Sequence, residues 1–138
     1  MLPGLEDIEL DRAATIAANN AQQVRPRSVT PNGAGAMQLP DGRTTPGAHS
    51  VRGADPELNP EVQELLDNIR CDERAPGHGR CWETVDISRM RDADIDPAGA
   101  ISDARRVEGP NSPRHNRPRE ACASCRVLFA FYDIIDGN

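Results

Sequence analysis

The spacing of apolar and polar positions predicts four helices and a few short strands. In residues 3–24, Pro3 precedes Leu5, Ile8, Ile16, several alanines and Val24. This predicts an N-terminal helix that ends before Arg25-Pro26, because the residue ahead of a proline avoids the helical region. Gly33 to Arg52 reads as a hairpin. Ala36-Met37-Gln38-Leu39 is an extended run, Pro40-Asp41-Gly42 carries turn chemistry, and His49-Ser50-Val51-Arg52 is the return strand. Asn59-Pro60-Glu61 is a helix start, with Asn as cap and Pro in the first turn. Val62, Leu65, Leu66 and Ile69 then form one apolar stripe, and the helix is expected to end near Cys71, a buried helix-end residue. Another helix is expected from Cys81, carrying Val85 and Met90, and a central strand over Ile101 to Glu108. Gly109 to Arg119, with three prolines, is irregular. A last helix from Ala121 sets Cys122, Cys125, Leu128, Phe129 and Tyr132 along one side, and Ile134-Ile135 suggests a terminal strand.

A chain of 138 residues holds one core, so 1–138 reads as a single domain with an N-terminal helix and a core at 33–138. Twelve prolines and eleven glycines imply many loops. No apolar run approaches the length of a membrane span and no secretory signal opens the chain, so an export sequence is expected in a larger parent.

The net charge of −6 argues against a polyanion partner. Two features alter that picture. Every basic residue is an arginine, the side chain that grips phosphate with two donors and stacks on bases. The charge is also uneven: Arg105, Arg106, Arg114, Arg117 and Arg119 stand against Glu108 alone in 105–119. Such a segment suits contact with nucleic-acid phosphates through Arg114, Arg117 and Arg119. A solvated loop with arginines for solubility is the plainer reading, and both stay open.

The candidate chemistry lies at Cys81-Trp82-Glu83 and Cys122-Ala123-Ser124-Cys125. Cysteines at i and i+3 in the first turn of a helix share a face, so Cys122 and Cys125 can reach one ion, with the helix N-terminus favouring thiolate. Cys81, at another helix start, supplies a third sulfur and leaves zinc an open position for water. Glu83 is too near Cys81 to be a convenient fourth ligand, but can act on that water as general base and then general acid. A thiol- or histidine-led x-Glu followed by C-x-x-C is the pattern of zinc-dependent base deaminases. The other readings are a structural site of four thiolates that recruits Cys71, a redox pair, and a disulfide framework. The nine residues between Cys71 and Cys81, the lack of a leading strand, and the i, i+3 spacing weigh against these in turn. His78 either faces substrate or belongs to the loop ahead of Cys81. Trp82 is either core or a stacking platform, and His49 and Arg52 either line a pocket or stand in solvent.

At Gly77-His78-Gly79-Arg80-Cys81-Trp82-Glu83 and Ala121-Cys122-Ala123-Ser124-Cys125-Arg126-Val127-Leu128-Phe129 the chain resembles the YwqJ-like deaminases of bacterial polymorphic toxins. These look like a branch of the cytidine-deaminase-like superfamily in which cysteine replaces the zinc-binding histidine. Leu39-Pro40-Asp41-Gly42, Ser50-Val51-Arg52-Gly53 and the Pro60 helix follow the family's order, so the resemblance covers most of 33–135; Ala121 stands where the family usually has proline. The resemblance implies an α/β, three-layer cytidine-deaminase-like fold, a mixed sheet of four to five strands flanked by helices. It implies Zn2+ on Cys81, Cys122 and Cys125, with Glu83 as proton shuttle. It further implies a C-terminal toxin domain of an interbacterial-competition protein, secreted or delivered within a larger toxin. Such a domain acts in the cytoplasm of the target cell and is neutralised in the producer by a cognate immunity protein.

The expected activity is hydrolytic conversion of cytosine to uracil in nucleic acid, with single-stranded DNA ahead of duplex DNA or RNA and a monomer as the acting species. Deamination of RNA or of free nucleosides and nucleotides is the alternative within the class, and suits the acidic charge. A non-catalytic, zinc-stabilised protein-binding module is the alternative from another class.

Overall fold

The computed structural model describes residue 5 and residues 7–53 and 55–137. At its centre is a run of small residues: Gly33-Ala34-Gly35-Ala36-Met37-Gln38 forms β1 (Gly33–Gln38), buried along almost its whole length. Glycine and alanine are poor strand formers on their own. Here they serve a strand covered on both faces, where helices must come close.

Helix α1 (Leu10–Gln22) covers one face with Ala13, Ala14, Ala17, Ala18 and Ala21, and Ala17, Ala18 and Ala21 pack with Ala34 and Val107. The other face carries α2 (Pro60–Asp67), α3 (Trp82–Asp92) and α4 (Ala123–Tyr132) around a larger core that includes Met37, Val62, Leu66, Ile87 and Leu128. A Cβ on Gly35 would lie 2.5 Å from the Trp82 ring and 2.4 Å from the Asp103 carbonyl oxygen, so the absent side chain makes room for the indole.

Among the described residues four strands make one mixed sheet: β1, β2 (Ala48–His49), β3 (Ile101–Arg106) and β4 (Ile135–Asp136), ordered β2-β1-β3-β4. β1 is antiparallel to β2 and to β3, and β4 runs parallel to β3. The chain is thus mixed α/β, with four helices and a four-stranded sheet between helical layers, compatible with a three-layer fold. β4 covers only Ile101 and Ser102 of β3. Beyond it the loop before α4 takes over the edge: Arg119 N–H donates to Ala104 O, and Arg106 N–H donates to Arg117 O. This seam fixes where Arg119 emerges.

Several sequence expectations are corrected. Pro3 and Gly4 lie outside the described residues, and the helix begins at Leu10, because residues 7–9 run non-helical while Leu5 enters the core and Thr44 Oγ1 donates to Ile8 O at 2.6 Å. The return strand of the hairpin is Ala48–His49 alone: Ser50 N–H still donates to Gly33 O, but Val51 N–H turns away to Arg80 O, so the pairing with β1 stops there. α2 starts as expected, with the Asn59 side chain accepting from Glu61 N–H, but it ends at Asp67. Cys71 therefore falls in a separate 3-10 turn, Cys71–Glu73, and is exposed rather than buried.

Candidate metal centre

Two helix N-termini meet at the sulfurs. Cys81 is the N-cap residue of α3 and Cys122 that of α4, both with extended backbone and neither with a side-chain cap bond; Cys125 lies in the first turn of α4. The ligand atoms of Cys81, Cys122 and Cys125 all lie within 4.8 Å of one another, a grouping that can hold a metal ion. Cys81 Sγ and Cys122 Sγ are 3.2 Å apart. Sulfurs bound tetrahedrally to zinc at about 2.3 Å stand roughly 3.7 Å apart, so this pair needs to spread by only about half an ångström. Cys71 stands outside the group, which leaves it at three thiols among the described residues.

The electrostatics suit a cation. Hydrogen bonds from the Cys125 and Cys81 thiols hold Cys122 well below the ordinary thiol range, with the N–H groups of Cys125 and Ser124 adding to the effect. Those same bonds to Cys122 push Cys81 and Cys125 up. A divalent ion bound by the three sulfurs would displace their protons.

Glu83 sits in the first turn of α3 and is 4% exposed. Burial, with the charge on Cys122 adding to it, pushes its carboxyl up to about 8 against its own backbone hydrogen bond and Arg119. It lines a cleft of about 480 Å³ together with Cys81, Cys122, Trp82, Asn32, Arg106 and Arg119. Trp82 is both core and wall: the ring is 2% exposed, and its Nε1 has no hydrogen-bond partner among the described residues. Arg119 reaches across the mouth, donating from Nη1 to Asn32 O at 2.8 Å.

The remaining residues singled out in the sequence are scattered. His78 lies outside this cleft, its Nδ1 sharing a 2.7 Å hydrogen bond with Ser124 Oγ, which also accepts from Ala75 N–H; the histidine braces α4 rather than facing the cleft. His49 is exposed, with Nδ1 2.9 Å from Ser50 O. Arg114 and Arg117 are exposed and outside the cleft, Arg117 Nε donating to Pro113 O of its own loop. Arg52 lines a neighbouring hollow. Arg106, Asn32, Ser50 and Glu120 are among the cleft residues that were not foreseen. Arg106 faces the cleft because it pairs with Gly33 on the Trp82 side of the sheet, whereas Arg105, paired with Ala34, turns to Asp11 on α1. The alternation along β3 was the available signal. Asn32 and Ser50 are joined through the serine hydroxyl, which accepts from the N–H groups of Asn32 and Gly33; nothing in the sequence marked them.

No helix among the described residues is long and apolar enough to cross a membrane. No family model, no curated protein and no solved structure matches the chain.

Proposed function

We propose that the chain is a zinc-dependent cytosine deaminase acting on nucleic acid. The observation that carries this reading is the meeting of three thiols at two helix N-termini, beside a buried glutamate, at the wall of an open cleft. Cys81, Cys122 and Cys125 would hold the zinc. When bound, zinc supplies a water acidified to near neutral pH.

Glu83 does the proton work. Its carboxylate takes a proton from the water, and passes protons to the ring nitrogen and to the departing amino group. The base exchanges its C–N bond for a carbonyl, and cytosine plus water becomes uracil plus ammonia. Trp82 walls the cleft and excludes water from that side. Arg119 lowers the cost of a charge on Glu83, which burial opposes. The cytidine-deaminase-like fold, the toxin role, delivery within a larger parent and neutralisation by an immunity protein rest on the resemblance at the two motifs.

Glu83→Gln is the decisive substitution. With cytosine-containing single-stranded DNA, the variant is expected to keep one zinc per chain and lose about 10²–10⁴-fold in turnover. Metal analysis alongside uracil detection reads both quantities. Wild-type protein that holds zinc but produces no uracil or inosine from DNA, RNA or nucleosides would leave the protein-binding module as the better account.

A further inference from the structure

The cleft does not stop at the sulfurs. A second hollow of about 310 Å³ shares Asn32, Ser50, Cys81, Arg119 and Cys122 with the first, then diverges to Arg52, Arg80 and the Pro76-Gly77 turn. The two hollows are arms of one trough, with the candidate metal centre and Asn32 at the junction. Arg119 stands where the arms meet; Arg106 lines the first together with Glu83 and Glu120, and Arg52 and Arg80 line the second. No acidic side chain among the described residues lines the second arm. The chain has a net charge of −6, so in this second arm the local sign opposes the global one.

The second arm is built rather than incidental. Val51 N–H donates to Arg80 O at 2.9 Å, which ties the two loops that present its arginines. Arg52 Nη1 donates to Thr30 O. Arg80 pairs with Asp55, but both side chains are largely exposed, at 40% and 80%, and such a pair is weak enough to exchange for phosphate. A free nucleoside that reaches the sulfurs through the first arm leaves the second arm and both its arginines without a role. A strand laid along the trough engages both, with the reacting base turned in at the junction.

Resting on the deaminase reading, we infer that the Arg52–Arg80 arm is a binding site for the nucleotide adjoining the reacting one, and that the substrate is a single-stranded polynucleotide. An unpaired strand turns a base inward at least cost, and cationic grooves that track the backbone are how such strands are held.

The experiment measures binding to the zinc-loaded Glu83→Gln protein, with deoxycytidine, dTdCdT, its ribonucleotide counterpart and a twelve-base-pair duplex as probes. The trinucleotides are expected to bind at least about tenfold tighter than deoxycytidine. Arg52→Ala with Arg80→Ala is expected to abolish that gain while zinc content stays at one per chain. It should also flatten the salt dependence of trinucleotide binding, by about 0.7 in slope for each phosphate no longer neutralised. Arg114→Ala with Arg117→Ala, outside the trough, should leave trinucleotide affinity unchanged. A preference for the deoxy- or the ribotrinucleotide assigns the strand as DNA or RNA. Deoxycytidine turned over by the wild type with no gain from flanking nucleotides overturns the second arm and spares the deaminase reading. Duplex bound as tightly as the trinucleotide overturns the single-strand assignment. Zinc-loaded protein that binds none of the probes overturns both readings.

Discussion

The two faces of the sheet are built on opposite terms. On the α1 side, contact is made almost wholly by alanine methyls, with the polar groups kept to the margin, where Arg105 reaches Asp11 and Asp103. On the other side α3 buries Trp82, Glu83, Thr84, Asp86, Ile87, Ser88 and Met90, so that one helix takes two acids and two hydroxyls out of water. Burying a charge or an unpaired polar group costs stability. Stability comes cheaply on the alanine face, while the α3 face gives some up to hold groups at raised proton affinity. A layer of methyl groups is paired with a layer that buries polar and ionisable groups.

The contrast breaks most sharply at the sulfurs. Cys125→Ser removes the most buried of the three sulfurs and is expected to abolish zinc retention and with it more than 10³-fold of any turnover. Its melting temperature should match that of chelator-treated wild type, and metal analysis with thermal unfolding checks this.

Next in size is Gly35→Ala. The new methyl meets backbone at 2.4 Å and the indole at 2.5 Å, neither free to withdraw, so a loss of about 3 kcal/mol is expected in urea unfolding. On the alanine face, Ala17→Gly should cost only about 0.5–1 kcal/mol. Equal losses for the two would erase the difference drawn between the faces.

Asp86 gives the pH test. Its Oδ2 accepts from Thr45 Oγ1 at 2.7 Å, yet burial raises its pKa to about 6, the Thr45 bond and Arg89 opposing. The folded protein holds this proton more tightly than the unfolded chain. Stability therefore falls as pH rises from about 4 to 6, and the cost is fully present above 6. In metal-free protein, Asp86→Asn should remove that part of the slope and raise stability at pH 7 by about 3 kcal/mol. The decline associated with Glu83, raised to about 8, should persist. Urea titrations between pH 4 and 8 separate the two.

The smallest effect belongs to the margin of the alanine face. Asp11 is 79% exposed and Arg105 keeps Asp103, so Asp11→Ala should cost no more than about 0.5 kcal/mol and less at high salt.

What the sequence disclosed follows the range of the interactions involved. Local signals carried the helix starts: Asn59-Pro60 capped α2, and the i, i+3 cysteines opened α4 next to Cys81 at the start of α3. Those short-range features were enough to group the three thiols. Features set by pairing between distant segments were hidden. The extended run was read only from Ala36, because Gly33 to Ala36 has no β-branched residue, whereas β1 begins at Gly33 with α1 and α3 closing over it. Arg106 reached the cleft through its register with Gly33, and Arg119 was separated from Arg114 and Arg117 by the seam along β3. Cys71 was misplaced because the apolar stripe of Val62 to Ile69 continued past the point where Asn68 ends the helix.

Trp82 carries a last consequence. It is the sole indole in the chain, next in sequence to Cys81, pressed against Gly35 and forming part of the cleft wall. Intrinsic ultraviolet emission therefore reports from one spot, with no second fluorophore of its kind to dilute the signal. Titration of the unlabelled protein with ion or oligonucleotide, followed by light alone, reads occupancy of that spot directly.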